Sequence, residues 1–97
     1  MKSAIFHPLA EQELLDAVSY YEKQEIGLGI DYLGEVEHAV NFLVRYPEAG
    51  AKVRGSIRRL TLPKFPYSLL YRVVEDNIRV LAVAHHKRKP QYWVDRQ

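Results

Sequence analysis

The chain has 97 residues, 47% of them hydrophobic and 27% charged, which suits one globular domain and excludes disorder. It has no cysteine, which excludes a disulfide framework and thiolate chemistry. The net charge of +2 conceals a segregation: residues 1–51 carry three Lys/Arg against nine Asp/Glu, a balance of −6, and residues 52–97 carry eleven against three, a balance of +8.

A short strand opens the chain at Ser3-Ala4-Ile5-Phe6. Pro8 then suits a first helical residue, where its missing N–H costs nothing. Glu11 and Glu13 follow in the first turn, where the helix dipole favours anions. Ala10, Leu14, Ala17, Val18 and Tyr21 recur at three- and four-residue spacing and define one apolar helix face. Gly27 and Gly29 break that pattern. A second helix is predicted from about Ile30 to Tyr46, with Leu33, Val36, Val40 and Leu43 on one side, ended by Pro47 and Gly50. The short link makes an antiparallel helical hairpin.

The remainder reads as strand. Ile57–Leu62 mixes apolar and basic residues, and Pro63 and Pro66 bound a loop. Tyr67–Val74 is aromatic and branched, Glu75-Asp76-Asn77 is a turn, and Ile78–Ala84 is apolar enough for a central strand. Pro90 is predicted to start a short terminal helix carrying Tyr92, Trp93 and Arg96. The fold class is therefore α+β, in the order β-α-α-β-β-β within a single domain spanning residues 1–97. The helical hairpin packs on a small antiparallel sheet, because its apolar face must be covered.

Several classes of function are excluded. The four histidines, His7, His38, His85 and His86, are not spaced as a zinc site. There is no glycine-rich phosphate loop, nucleophile elbow or HExxH motif, so no metal and no cofactor is expected. No apolar run approaches the ~20 residues of a membrane span. Lys2 is followed by Pro8 and Glu11 without an apolar h-region, which argues against a signal peptide. A cytoplasmic location is the expectation.

Three groups are candidates for function. Arg54, Arg58 and Arg59 lie on or near one strand, and alternation sends Arg58 and Arg59 to opposite faces. They serve either a binding site or the solvation of a sheet edge. Arg72 and Arg79 interrupt apolar strands, and two registers are open. Either Arg72 faces Leu81 and Ser68 faces His85, or Arg79 faces Val73 and Tyr67 faces His85. The third group is His85 with Lys87, Arg88, Lys89, Tyr92 and Trp93. A histidine beside cations favours its neutral form and can act as a base. The cations can hold a phosphate, and the aromatics either stack on bases or anchor the tail.

The stretch Phe65-Pro66-Tyr67-Ser68-Leu69-Leu70-Tyr71-Arg72-Val73, followed by Ile78–His85, resembles the C-terminal half of the RelE/ParE family of bacterial toxins. The opening strand and the acidic helix with Pro8 and the Glu11-to-Tyr21 pattern are similar as well. The resemblance thus covers essentially the whole chain. It implies a compact RelE-like fold, the toxin role in a type II toxin–antitoxin system, growth arrest and plasmid stabilization. It also implies neutralisation by a cognate antitoxin, in complex with which the toxin is oligomeric.

The family divides by target. RelE-like members cut messenger RNA in the ribosome with a basic cleft and often a C-terminal tyrosine, whereas ParE-like members poison DNA gyrase. Tyr92 lies where the RelE-like tyrosine falls, with Lys87 and Arg88 in the corresponding basic stretch. Ser68, however, stands where RelE-like nucleases place an arginine, and His85 at the strand end is closer to the ParE side. The resemblance thus leans to gyrase poisoning, in which case the protein is not an enzyme. One alternative is a ribosome-dependent endoribonuclease with His85, Tyr92 and Arg72 as its catalytic residues. Another is a non-toxic module that binds the antitoxin and helps repress their operon. Arg54, Arg58, Arg59, Lys87, Arg88 and Lys89 are the candidates for binding target or antitoxin.

Overall fold

The computed structural model describes residues 3–96. Strand β1 (Ala4–Phe6) leads into helix α1 (Pro8–Gln24). His7 caps α1, its Nδ1 accepting the Leu9 N–H at 3.0 Å, and Pro8 takes the first turn as its fixed φ requires. Helix α2 (Leu28–Arg45) begins two residues before the expected Ile30. The chain reverses at Gly27, whose φ of 91° is left-handed. The Glu22 carboxylate then accepts the N–H groups of Gly27 at 2.9 Å and Gly29 at 3.0 Å, so a side chain of α1 caps α2. Gly29 therefore lies inside the helix rather than ending one. A Cβ there would stand 2.5 Å from the Val18 carbonyl oxygen. Gly29→Ala is expected to lower stability by about 1–3 kcal/mol, because the obstacle is backbone that cannot yield. Urea unfolding checks this, and an unchanged midpoint would contradict the close approach.

The sheet has five strands in the order β1-β5-β4-β3-β2, with β2 (Ala51–Arg54), β3 (Ile57–Thr61), β4 (Tyr67–Val74) and β5 (Asn77–His85). Strand β1 pairs parallel with β5, and the other pairs are antiparallel. The expected meander is present, with one strand more. Ala51–Arg54 is too short and too charged to register as a strand in isolation, and it forms only as an edge paired to β3. Helices and sheet share one core: Ala10, Ala17, Tyr32, Val36, Ala39 and Leu43 meet Leu69, Tyr71, Ile78, Val80 and Val83. Buried Tyr71 donates its hydroxyl to the Pro47 carbonyl at 2.7 Å and accepts the Gly50 N–H at 2.9 Å. This fixes the link between α2 and β2.

Neither expected register runs the length of β4 and β5. Tyr67 lies opposite His85, but the ladder shifts by one between Leu70 and Tyr71. Leu81 is the unpaired extra residue, a β-bulge. Below it, Arg72 lies opposite Arg79 and Val73 opposite Ile78. The bulge lets both ends of an apolar strand keep the correct face toward the core.

The sheet's other face is also covered. Leu70, Ala82 and Ala84 form a second buried cluster with Trp93 of the C-terminal tail, which is only 6% exposed. The expected terminal helix is absent. The tail instead winds in turns, with Gln91 at φ 59° and Val94 and Arg96 donating to carbonyls three residues back. A segment this short cannot offset helix nucleation, so packing sets its shape. Among the described residues no helix is long and apolar enough to cross a membrane.

Candidate functional site

The tail is held by one carboxylate. Because β1 reaches only from Ile78 to Val80 along β5, the upper half of that strand edge lacks a neighbouring strand. Glu13, on the inner face of α1, accepts the Val83 N–H there at 3.0 Å. Arg96 returns from the tail and makes a fork on the same carboxylate, at 2.9 and 3.0 Å, while also donating to the Leu81 carbonyl at 3.0 Å. Tyr92 donates its hydroxyl to Glu13 Oε2 at 2.8 Å. The Glu13 and Arg96 side chains are 15% and 12% exposed, so the pair is largely desolvated and its bidentate geometry matters. Arg88 stacks 3.8 Å from the Tyr92 ring centre, with its guanidinium 3.9 Å from Glu13.

Between the tail and the sheet lies an open cleft of about 440 Å³. Val53, Leu70, Ala84 and Trp93 give it an apolar lining, and Arg59, Arg88 and Lys89 supply cations. At its polar end a chain of hydrogen bonds joins Thr61 Oγ1 to Ser68 Oγ at 3.1 Å, and Ser68 Oγ to His86 Nε2 at 3.0 Å. Ser68 is 4% exposed, so these two partners satisfy a hydroxyl that would otherwise be buried at a cost. Arg54 donates to the Gln91 side chain at 3.0 Å, linking the β2 edge to the tail.

The candidate residues separate. Arg58 and Arg59 do point to opposite faces: Arg58 donates to the carbonyls of Glu48 at 3.1 Å and Gly50 at 2.7 Å, whereas Arg59 lines the cleft. Lys87, Arg88 and Lys89 are exposed. His85 packs edge-on against Tyr67, ring centres 4.9 Å apart, and its Nδ1 accepts the Lys87 N–H at 3.0 Å. Arg72 does not line the cleft; it lies four residues along β4 from Ser68, about 13 Å at strand rise. His85 and Tyr92 thus both line the cleft, and Arg72 does not. The sequence reading missed His86, and strand alternation carried the signal: of two neighbouring histidines, one must face the side away from the helices. Glu13 was also missed as an anchor, since in sequence it reads as an ordinary first-turn acid.

Burial shifts several tyrosines. Burial, then the hydrogen bond and charge of Glu13, pushes the Tyr92 phenol far above its usual range. Burial also raises Tyr32, Tyr67, Tyr71 and Tyr21, and the Tyr32 hydroxyl has no hydrogen-bond partner among the described residues. A group whose folded pKa is raised gives stability that is present below its unfolded value, about 10 for tyrosine, and lost as pH rises beyond it. Alkaline titration is therefore expected to ionise these phenols together with unfolding above about pH 10. Phenolate absorbance and circular dichroism measured together check it. Smooth ionisation of all seven tyrosines with the fold intact would contradict it.

The family described as ParE toxin of type II toxin-antitoxin system, parDE, matches residues 4–90. A relative from Sinorhizobium fredii named "Putative toxin Y4kP" is 33% identical over 75 residues, covering 75% of this chain and 77% of its own. A solved structure described as the chromosomal ParDE TA system from P. aeruginosa has the same fold. Its TM-score is 0.72 at 23% identity, over 88% of this chain and 95% of that one. With the matched span running from β1 through the whole sheet, the chain belongs to the ParE toxin family of type II toxin–antitoxin systems.

Proposed function

We propose that the protein arrests bacterial growth by docking on DNA gyrase, and that a cognate antitoxin neutralises it. The observation that carries this reading is the engagement of Tyr92. Its hydroxyl is donated to Glu13 and its ring lies under Arg88, so it is an anchor of the tail. A phenol whose pKa is pushed up is poorly matched to proton transfer near neutrality. The neutral Ser68 supports the same reading. Cleavage of a phosphodiester needs its developing charge held by several fixed donors, and here a hydroxyl bonded to Thr61 and His86 stands at that point. A docking poison needs exposed side chains, and Lys87, Arg88 and Lys89 supply them.

The test sets a supercoiling assay with purified gyrase beside an in-vitro translation assay. Inhibited supercoiling with intact translation is expected; messenger cleavage with untouched supercoiling would overturn the reading. The antitoxin segment is expected to be acidic and apolar, matching the +8 balance of residues 52–97. Co-expression with the neighbouring gene product should yield a complex, and its absence at micromolar concentration would count against neutralisation.

A further inference from the structure

We propose that the cleft between sheet and tail is a binding site for a nucleoside monophosphate. The proposal does not rest on the gyrase reading: the two share Lys89, and the test below reads ligand binding alone. It stands on three features of the cleft.

The first is charge. Among the described residues no acidic side chain lines the cleft, whereas Arg59, Arg88 and Lys89 do. Arg88 is already engaged by Glu13 and the Tyr92 ring, which leaves Arg59 and Lys89 for a ligand. Neither forms an ion pair or a side-chain hydrogen bond among the described residues. Two such cations match one dianion. A phosphate monoester approaches that charge at neutral pH, because its second pKa is about 6. A carboxylate would leave one cation uncompensated.

The second is the chain of hydrogen bonds from Thr61 through Ser68 to His86. Its direction depends on the imidazole tautomer. With the proton on Nε2, His86 donates to Ser68, Ser68 donates to Thr61, and the exposed Thr61 hydroxyl keeps its own proton for a ligand. With the opposite tautomer, Thr61 donates inward and turns lone pairs to the cleft. An anion selects the first arrangement, and buried Ser68 stays satisfied in both.

The third is the apolar lining. Val53, Leu70, Ala84, Pro90 and Trp93 bound a space of about 440 Å³, within the range of small-molecule sites. A bare phosphate would leave that lining wet, whereas a nucleobase and sugar cover it.

Trp93 is the single tryptophan and lies on the cleft wall, so its emission reads occupancy directly. Titration of the purified full chain with each of the four ribonucleoside 5′-monophosphates should give a saturable change for at least one, with Kd below about 1 mM. Arg59→Ala and Lys89→Ala should each weaken it roughly tenfold, the loss of one charge-assisted contact. Thr61→Val should weaken it by a smaller factor. Lys64→Ala, which removes a cation beside Leu28 and Phe65 on the helical side, should leave it unchanged. The matching nucleoside and inorganic phosphate should each bind at least roughly tenfold more weakly than the monophosphate. No response to any of the four at about 10 mM would overturn the proposal, as would a nucleoside that binds as well as its monophosphate. An oligonucleotide with phosphodiesters only that outcompetes every monophosphate would assign the cleft to a strand instead.

Discussion

Glu13→Ala is expected to destabilise the protein by about 3 kcal/mol, the low end of what breaking a buried ion pair costs. The low end applies because both side chains retain some exposure, 15% for Glu13 and 12% for Arg96. The substitution orphans several groups at once. The Arg96 guanidinium loses both arms of its fork, the Val83 N–H loses its acceptor, and the Tyr92 hydroxyl loses its partner. For a domain of this size the melting temperature should fall by roughly 12–24 °C. Glu13→Gln keeps an acceptor for Val83 and loses the charge, so it should fall between. Arg96→Ala should approach the effect of Glu13→Ala. The double variant should be far from additive, since both singles break the same contact. Chemical denaturation of the four variants beside the unsubstituted protein measures this. A loss under about 1 kcal/mol for Glu13→Ala, the value of an exposed pair, would mean that the carboxylate does not hold the tail.

The second large effect concerns toxicity. Reversing Lys87 and Lys89 to Glu should abolish growth arrest and raise the concentration needed to inhibit supercoiling at least roughly tenfold, as expected where docking depends on complementary charge. Arg88 is left out by design. Its guanidinium lies 3.9 Å from Glu13 and over the Tyr92 ring, so a carboxylate there would repel Glu13 and loosen the tail. Tyr92→Phe removes one hydrogen bond to Glu13 and should cost about 1 kcal/mol of stability while preserving arrest. If Tyr92→Phe abolishes arrest and the variant remains folded, the phenol takes part in chemistry and docking alone does not explain toxicity. Expression of the three proteins from a titratable promoter, with far-UV circular dichroism as the fold control, separates these outcomes.

Much of the scaffold was legible in the sequence because it rests on short-range preferences. Pro8 marked the start of α1, the glycines marked the reversal before α2, and three- and four-residue spacing marked the buried helical faces. The runs Tyr67–Val74 and Ile78–Ala84 marked the sheet centre, and their resemblance to a toxin family pointed to the family that the chain belongs to. The segregation of charge also follows from sequence alone.

What tertiary structure decided is what depends on surfaces meeting. Ala51–Arg54 carries no local strand signal and becomes a strand only beside β3. The bulge at Leu81 follows from fitting two apolar stretches to one core, which no single stretch encodes. The tail lacks a helix because Trp93 packs on Leu70, Ala82 and Ala84 and Arg96 reaches Glu13, and these contacts outweigh the weak helical preference of so short a segment. Glu13 shows the limit most clearly. Its partners Val83, Tyr92 and Arg96 lie 70, 79 and 83 residues away in sequence. They converge on it because β1 is too short to cover the edge of β5, and the uncovered N–H and C=O groups of that edge require partners from elsewhere.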